Sequence, residues 1–138
     1  MAKFSEISKF NLATCHNDIQ RVLYKVIEDF DFSVLCGYRG KAAQREAFLS
    51  GRSKVDWPDS RHNATPSLAV DIAPWPIDWS NEDRFIYLAG FVMSNAKSMG
   101  VDLVWGGDWS GNMMINSGFR DLGHFELRIN DSDEWEFD

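Results

Sequence analysis

An α+β fold, with helices packed on a small, mostly antiparallel sheet, is predicted for this chain by three observations. Two long stretches repeat apolar residues at helical spacing, four short runs read as strands, and 138 residues with 44% hydrophobic composition suffice for one core. No repeat, low-complexity linker or domain boundary interrupts them.

The first helix is expected from Ser8 to Glu28, where Leu12, Ile19, Val22, Leu23, Val26 and Ile27 form an apolar stripe and Ser8 is available as N-cap. Phe32 to Cys36 reads as a strand ending at Gly37, with Tyr38 and Arg39 at its end, a common place for functional groups. Lys41 to Leu49 reads as a short helix closed by Gly51, with Gln44 either lining a cleft or facing solvent. A polar loop then delivers His62. Leu68 to Ala73 is the second strand, and alternation puts Leu68, Val70 and Ile72 in the core with Ala69, Asp71 and Ala73 opposite. Pro74 and Pro76 force an extended path. Asn81 to Met99 is the second long helix, burying Phe85, Leu88, Ala89, Val92 and Ala96 and stopping at Gly100. Val101 to Trp105 is the third strand. After a glycine-containing loop that carries Trp109, Phe119 to Ile129 is the fourth. Residues 1–130 form the one expected folded domain, and 131–138, rich in carboxylates without a basic residue, read as a flexible acidic tail.

Within that frame Asp71 stands on a strand face kept clear by two alanines, and His62 precedes a polar loop able to fold it back over Asp71. One imidazole and one carboxylate bind zinc incompletely. Of the other histidines, His16 lies in a helix well before the site, an ordinary surface or packing position. His124 shares a strand face with Glu126, opposite Phe125, Leu127 and Ile129. His62, Asp71 and His124 together leave one zinc position for water, the arrangement of catalytic rather than structural sites. Asp121 and Glu126 are rival proton acceptors, and residue spacing alone does not separate them.

Composition excludes other classes. A net charge of -7 with a pI near 4.9 argues against nucleic-acid and anionic-membrane binders. No apolar run approaches the roughly 20 residues of a membrane span, and Met1 to Glu6 is not followed by the apolar stretch of a signal peptide. Cys15 and Cys36 read as buried free thiols. Trp79 and Trp105 are expected to pack, while Trp75 and Trp109 could equally shape a cleft.

Ser60-Arg61-His62 followed by Ser67-Leu68-Ala69-Val70-Asp71 resembles the S-x-H…[GS]-x-A-x-D motif of the zinc D-Ala-D-Ala carboxypeptidase and L-alanyl-D-glutamate endopeptidase family. Asp121-Leu122-Gly123-His124 resembles that family's closing [DE]-x-x-H, and Pro74 to Trp79 and Trp105 to Trp109 are similar to its bacteriophage endolysin branch. The likeness runs from Phe32 to Leu127. It departs in having eight rather than six residues between His62 and Asp71, with Ser67 at the usual Gly position.

The resemblance implies that His62, Asp71 and His124 bind one Zn2+, that Asp121 is the general base and that Arg39 stabilises the developing oxyanion. It implies substrate-contacting or ligand-supporting roles for Ser60, Ser67 and Glu126, and Gln44 and Trp109 are added as candidates by their places beside the motifs. The implied reaction is hydrolysis of peptidoglycan stem peptides at the L-Ala-D-Glu bond by a zinc-activated water, with D-Ala-D-Ala cleavage or a catalytically inactive zinc-binding module as alternatives. It further implies a monomer made in the host cytoplasm, with no nucleic-acid partner and no membrane insertion, that reaches the wall after a separate holin-type protein permeabilises the membrane.

Overall fold

The computed structural model describes residues 2–128 and Glu136–Phe137. Among them are helices α1 (Glu6–Ala13), α2 (Asn17–Val26), α3 (Lys41–Leu49) and α4 (Glu82–Ser98). The strands are β1 (Phe32–Cys36), β2 (Ala64–Thr65), β3 (Ala69–Pro74), β4 (Leu103–Trp105), β5 (His124–Leu127) and β6 (Glu136–Phe137). Four strands form one sheet in the order β1-β3-β5-β4 with every neighbour antiparallel, and β2 pairs with β6 apart from it. The fold is α+β, as expected. The acidic-tail expectation lies outside the described residues except for the β6 pairing. No described helix is long and apolar enough to cross a membrane.

The sheet alternates as read. Val34 pairs with Ile72, Val70 with Phe125, and Leu103 with Leu127, and these side chains enter one core cluster with Leu12, Val22, Leu23, Leu88 and Val92 from α1, α2 and α4. Each fully buried aliphatic side chain contributes on the order of 1.5–3 kcal/mol through removal from water. The opposite face carries Asp71 opposite His124 and Ala69 opposite Glu126, while a bulge in β1 brings Cys36 opposite Asp71.

Three expectations need correction. The single helix from Ser8 to Glu28 is two helices, broken at Thr14-Cys15-His16. There the backbone finds partners outside any helix: His16 N–H donates to Ser67 O (2.8 Å) and Ser67 N–H to Thr14 O (2.9 Å). His16 then caps α2, its Nδ1 accepting from Asp18 N–H. Ser8 is not an N-cap. Ser5 caps α1, and the buried Ser8 hydroxyl accepts from Val34 N–H (2.9 Å), tying α1 to β1. Trp79 is 66% exposed, its ring stacked only on Phe85, whereas Trp105 is buried as expected.

The fourth strand begins late, at His124, because Phe119 to Asp121 run as irregular chain and Leu122-Gly123 form a turn ahead of it. Gly123 sits where a Cβ would run into the Ile72 carbonyl oxygen, while its own carbonyl accepts from Ile72 N–H (2.9 Å). Close backbone approach therefore demands glycine here. Gly123→Ala should lower stability by about 1–3 kcal/mol, the usual cost of forced overpacking. The urea midpoint of the variant reads this, and an unchanged midpoint would mean that β3 and β5 can part there freely.

Candidate metal centre

Antiparallel register sets the centre. Because Asp71 lies opposite His124 across β3 and β5, their side chains meet on the face away from the core, and His124 Nδ1 comes to 3.0 Å from Asp71 Oδ1. His62 arrives from a short 3-10 helix, Arg61–Asn63. Ser60 accepts from His62 N–H and Asn63 folds back onto Ser60 N–H to cap that turn. His62 Nε2 then lies 3.2 Å from the same Asp71 Oδ1. Arg39 Nη2 donates to Asp71 Oδ2 at 3.3 Å.

The tautomers follow from what the outer nitrogens meet. His62 Nδ1 is 2.7 Å from the Gly37 carbonyl oxygen, a pure acceptor, so Nδ1 carries the proton. His124 Nε2 is 2.8 Å from Glu126 Oε1, again a pure acceptor, so Nε2 carries it. With both rings neutral, each histidine aims a lone pair at the same Asp71 oxygen with no hydrogen between them, and Asp71 is the residue shared by the two groups, Cys36-His62-Asp71 and Asp71-Asp121-His124, whose ligand atoms all lie within 4.8 Å of one another. Such a convergence of acceptors is stable only around a cation, either protons on the rings or a metal ion.

The ionisation of these groups reflects that demand. Burial opposes the charge of His62, but the Asp71 carboxylate outweighs it and carries the imidazole up to about 10. Burial likewise opposes His124, yet its hydrogen bonds to Asp71 and Glu126 raise it to about 9. Burial would raise Asp71, and the two imidazoles reverse this and hold it well below the usual carboxylate range. Glu126 is lowered against its burial by the His124 bond. The donor set, neutral nitrogen, neutral nitrogen and carboxylate, is one that suits zinc.

Asp121 stands just ahead of the Leu122-Gly123 turn that leads into β5, outside the strand expected for it, and joins Asp71 and His124 in a group able to hold a metal ion. Burial, and then the nearby Asp71 charge, raise its carboxyl above the ordinary value, so it is readily protonated. A cavity of about 420 Å3 opens over the centre and is lined by Arg39, Ser60, His62, Asp71, Trp109, Asp121, His124 and Glu126 among others. A larger apolar groove of about 700 Å3 beside α4 holds none of these groups. Size does not locate the chemistry here.

Two expected contacts are not on the cavity. Ser67 is fully buried, its hydroxyl bonded to the Ala69 carbonyl (2.7 Å), so it anchors the start of β3 and is out of reach of substrate. Gln44 is also fully buried, facing neither cleft nor solvent. Its Oε1 accepts from Arg39 Nη1 (3.1 Å) and its Nε2 donates to Ser53 Oγ and the Val55 carbonyl. Ser60, Glu126 and Trp109 do line the cavity, and the Trp109 ring is 5.6 Å from that of His124.

The sequence reading missed two neighbours. Asn63 donates to the Arg39 carbonyl (2.9 Å) while Arg39 N–H donates to His62 O (2.8 Å), so the arginine and the first histidine share one backbone frame. Asn three residues after Ser60 was the available signal. Cys36 forms a second possible metal group with His62 and Asp71, but its Sγ approaches His62 Nδ1, at 3.8 Å, on the ring edge that Gly37 already occupies. Cys36 is thus partly exposed beside the centre, whereas Cys15 is buried as expected, and burial pushes its thiol up to about 12.

The family model of phage L-alanyl-D-glutamate peptidases matches residues 1–128. The crystal structure of the L-Ala D-Glu endopeptidase ChiX of Serratia marcescens superposes with a TM-score of 0.72 at 30% identity, covering 91% of this chain and 90% of that one. No curated protein matches the chain.

Stability of the metal-free protein should follow the centre's protons. Both histidines bind protons more tightly folded than unfolded, so their contribution is whole below about pH 6.5 and lost as pH rises through about 9 to 10. Asp71 acts oppositely, its contribution present above about pH 3.8 and lost in acid. The melting temperature of chelator-treated protein should therefore peak in mildly acidic buffer and fall above neutrality, and added zinc should remove the alkaline fall. A flat profile with no response to zinc would contradict the acceptor cluster.

Proposed function

The chain belongs to the phage L-alanyl-D-glutamate peptidase family, and from this we propose that it hydrolyses the L-Ala-D-Glu bond of peptidoglycan stem peptides at a single zinc centre held by His62, Asp71 and His124. It is a peptidase, a hydrolase directed at the bacterial cell wall. The observation that carries the proposal is the approach of His62 Nε2 and His124 Nδ1 to the same Asp71 Oδ1, which needs a cation between them, either protons on the rings or a metal ion.

Zinc held there would supply Lewis acidity, lowering the pKa of water toward roughly 7 and polarising a peptide carbonyl. The chain's own groups do the rest. Gly37 and Glu126 accept the outer ring protons of His62 and His124, which keeps both lone pairs aimed inward. Asp121, raised by burial, accepts a proton at its carboxylate and returns it to the leaving amine. Arg39, clamped between Gln44 and Asp71, presents its guanidinium to the carbonyl oxygen as negative charge develops. Residues 1–130 are the catalytic unit in this proposal. The monomeric state, synthesis in the host cytoplasm and release by a separate holin-type protein belong to the same endolysin reading.

Mass spectrometry of digested peptidoglycan tests it. New amino-terminal D-Glu ends are expected with the zinc-loaded protein and not after chelation. Asp121→Asn should abolish them with zinc still bound at one per chain, and Arg39→Ala should lower kcat by about 10²–10³-fold, the usual loss of one oxyanion donor. Bound zinc without fragments would leave a binding module, and D-Ala release instead of D-Glu ends would reassign the bond.

A further inference from the structure

The cavity over the centre has two loop walls. One, residues 52–61, carries Arg52, Lys54 and Arg61, and the other carries Trp109 and Phe119. The second wall is a rigid ledge: the Trp109 and Phe119 rings lie parallel, 6.1 Å apart and 9° from coplanar, and Trp109 Nε1 donates to the Phe119 carbonyl (2.9 Å). Lys54 reaches across from the first wall, with Nζ 4.8 Å from the centre of the Phe119 ring.

The cations of this cavity differ in what holds them. Arg39 pairs with Asp71, Arg61 with Glu126 and Arg52 with Glu46. Lys54 alone rests on a ring face, and among the described residues no carboxylate pairs with it, including Asp59 and Asp121 of the same cavity. In a chain of net charge -7, an ammonium that no carboxylate pairs with among the described residues, parked by an aromatic ring at the mouth of the site, is a place for an anion brought from outside.

The substrate supplies one. D-Glutamate has one amino group and two carboxyls. The scissile bond uses the amino group, the stem continues through one carboxyl, and the other stays free and ionised at neutral pH. We propose that Lys54 recognises this free carboxylate and so makes the enzyme select D-glutamate, in the residue after the cut, over the form in which that same carboxyl is amidated. This rests on the L-alanyl-D-glutamate reading above.

The test uses two synthetic stem peptides, L-Ala-D-Glu-L-Lys with the free carboxyl as the acid or as the amide, and the zinc-loaded wild-type, Lys54→Met and Lys54→Arg proteins. Wild type should prefer the acid by about tenfold or more in kcat/KM, less at high salt, as expected for a partly exposed charge contact. Lys54→Met should bring the two peptides to within about twofold, through a raised KM for the acid with kcat for the amide unchanged, and Lys54→Arg should keep the preference. An equal acid-to-amide ratio in wild type and Lys54→Met would overturn the inference and leave Lys54 as a solvated cover for Phe119. Wild type that cleaves neither peptide but releases D-Ala from a D-Ala-D-Ala peptide would overturn the bond assignment itself, and with it the premise.

Discussion

Everything at the centre hangs on a single carboxylate. Asp71 lies in the middle of the sheet with 25% of its side chain exposed, and it faces His62, His124 and Arg39 within 3.3 Å. An unpaired charge placed there would carry a heavy desolvation cost, and removing one partner of such a pair is far more damaging than the pair is stabilising. The carboxylate therefore gathers three segments distant in sequence: the end of β1, the turn at Arg61–Asn63 and the start of β5. The same attraction that organises the centre is the one a divalent cation would satisfy with fewer compromises, since it would replace two protons by one doubly charged ion.

Behind these side chains stands a second ring of contacts that removes choice. Gly37 decides which nitrogen His62 offers, Glu126 decides it for His124, and Arg61 in turn holds Glu126 at 3.4 Å. Gln44 does the same for Arg39 from a position sealed against solvent. Polar groups this buried are worth keeping only when each has a partner, and here their mutual hydrogen bonds fix the rotamers of the groups that face the cavity. Preorganisation of this kind is what lets a small domain hold several charged and polar groups at fixed positions around one point.

Much of this was legible in the chain. Helical periodicity located α3 and α4 within a residue or two, and strand alternation put Asp71, His124 and Glu126 on the face away from Val70, Ile72 and Phe125. What stayed hidden depends on partners far along the sequence. The break at Thr14-Cys15-His16 exists because Ser67 supplies the hydrogen bonds, some fifty residues on, and nothing local to the apolar stripe reveals it. Gln44 and Ser67 have the composition of surface residues, and only the burial of their neighbours turns them into struts. Gly123 likewise owes its place to the narrow gap to Ile72, a partner more than fifty residues back that no local pattern announces.

The longer connection between His62 and Asp71 shows how the two kinds of information divide. Eight residues lie between these groups, yet neither position is set by the length of that connection. His62 is fixed from outside it, by Gly37 at its ring and by Arg39 and Ser60 at its backbone. Asp71 is fixed by its place between β1 and β5. The intervening chain is itself tied off, with Leu68 N–H bonded to Arg61 O and Ser67 bonded to Thr14 and His16 across the helix break. A segment closed on itself and anchored to α1 and α2 can gain residues without moving either end, because loop closure costs little per added residue. The spacing that a motif counts is therefore a looser constraint than the hydrogen bonds that hold each ligand, and the geometry of the centre survives the difference.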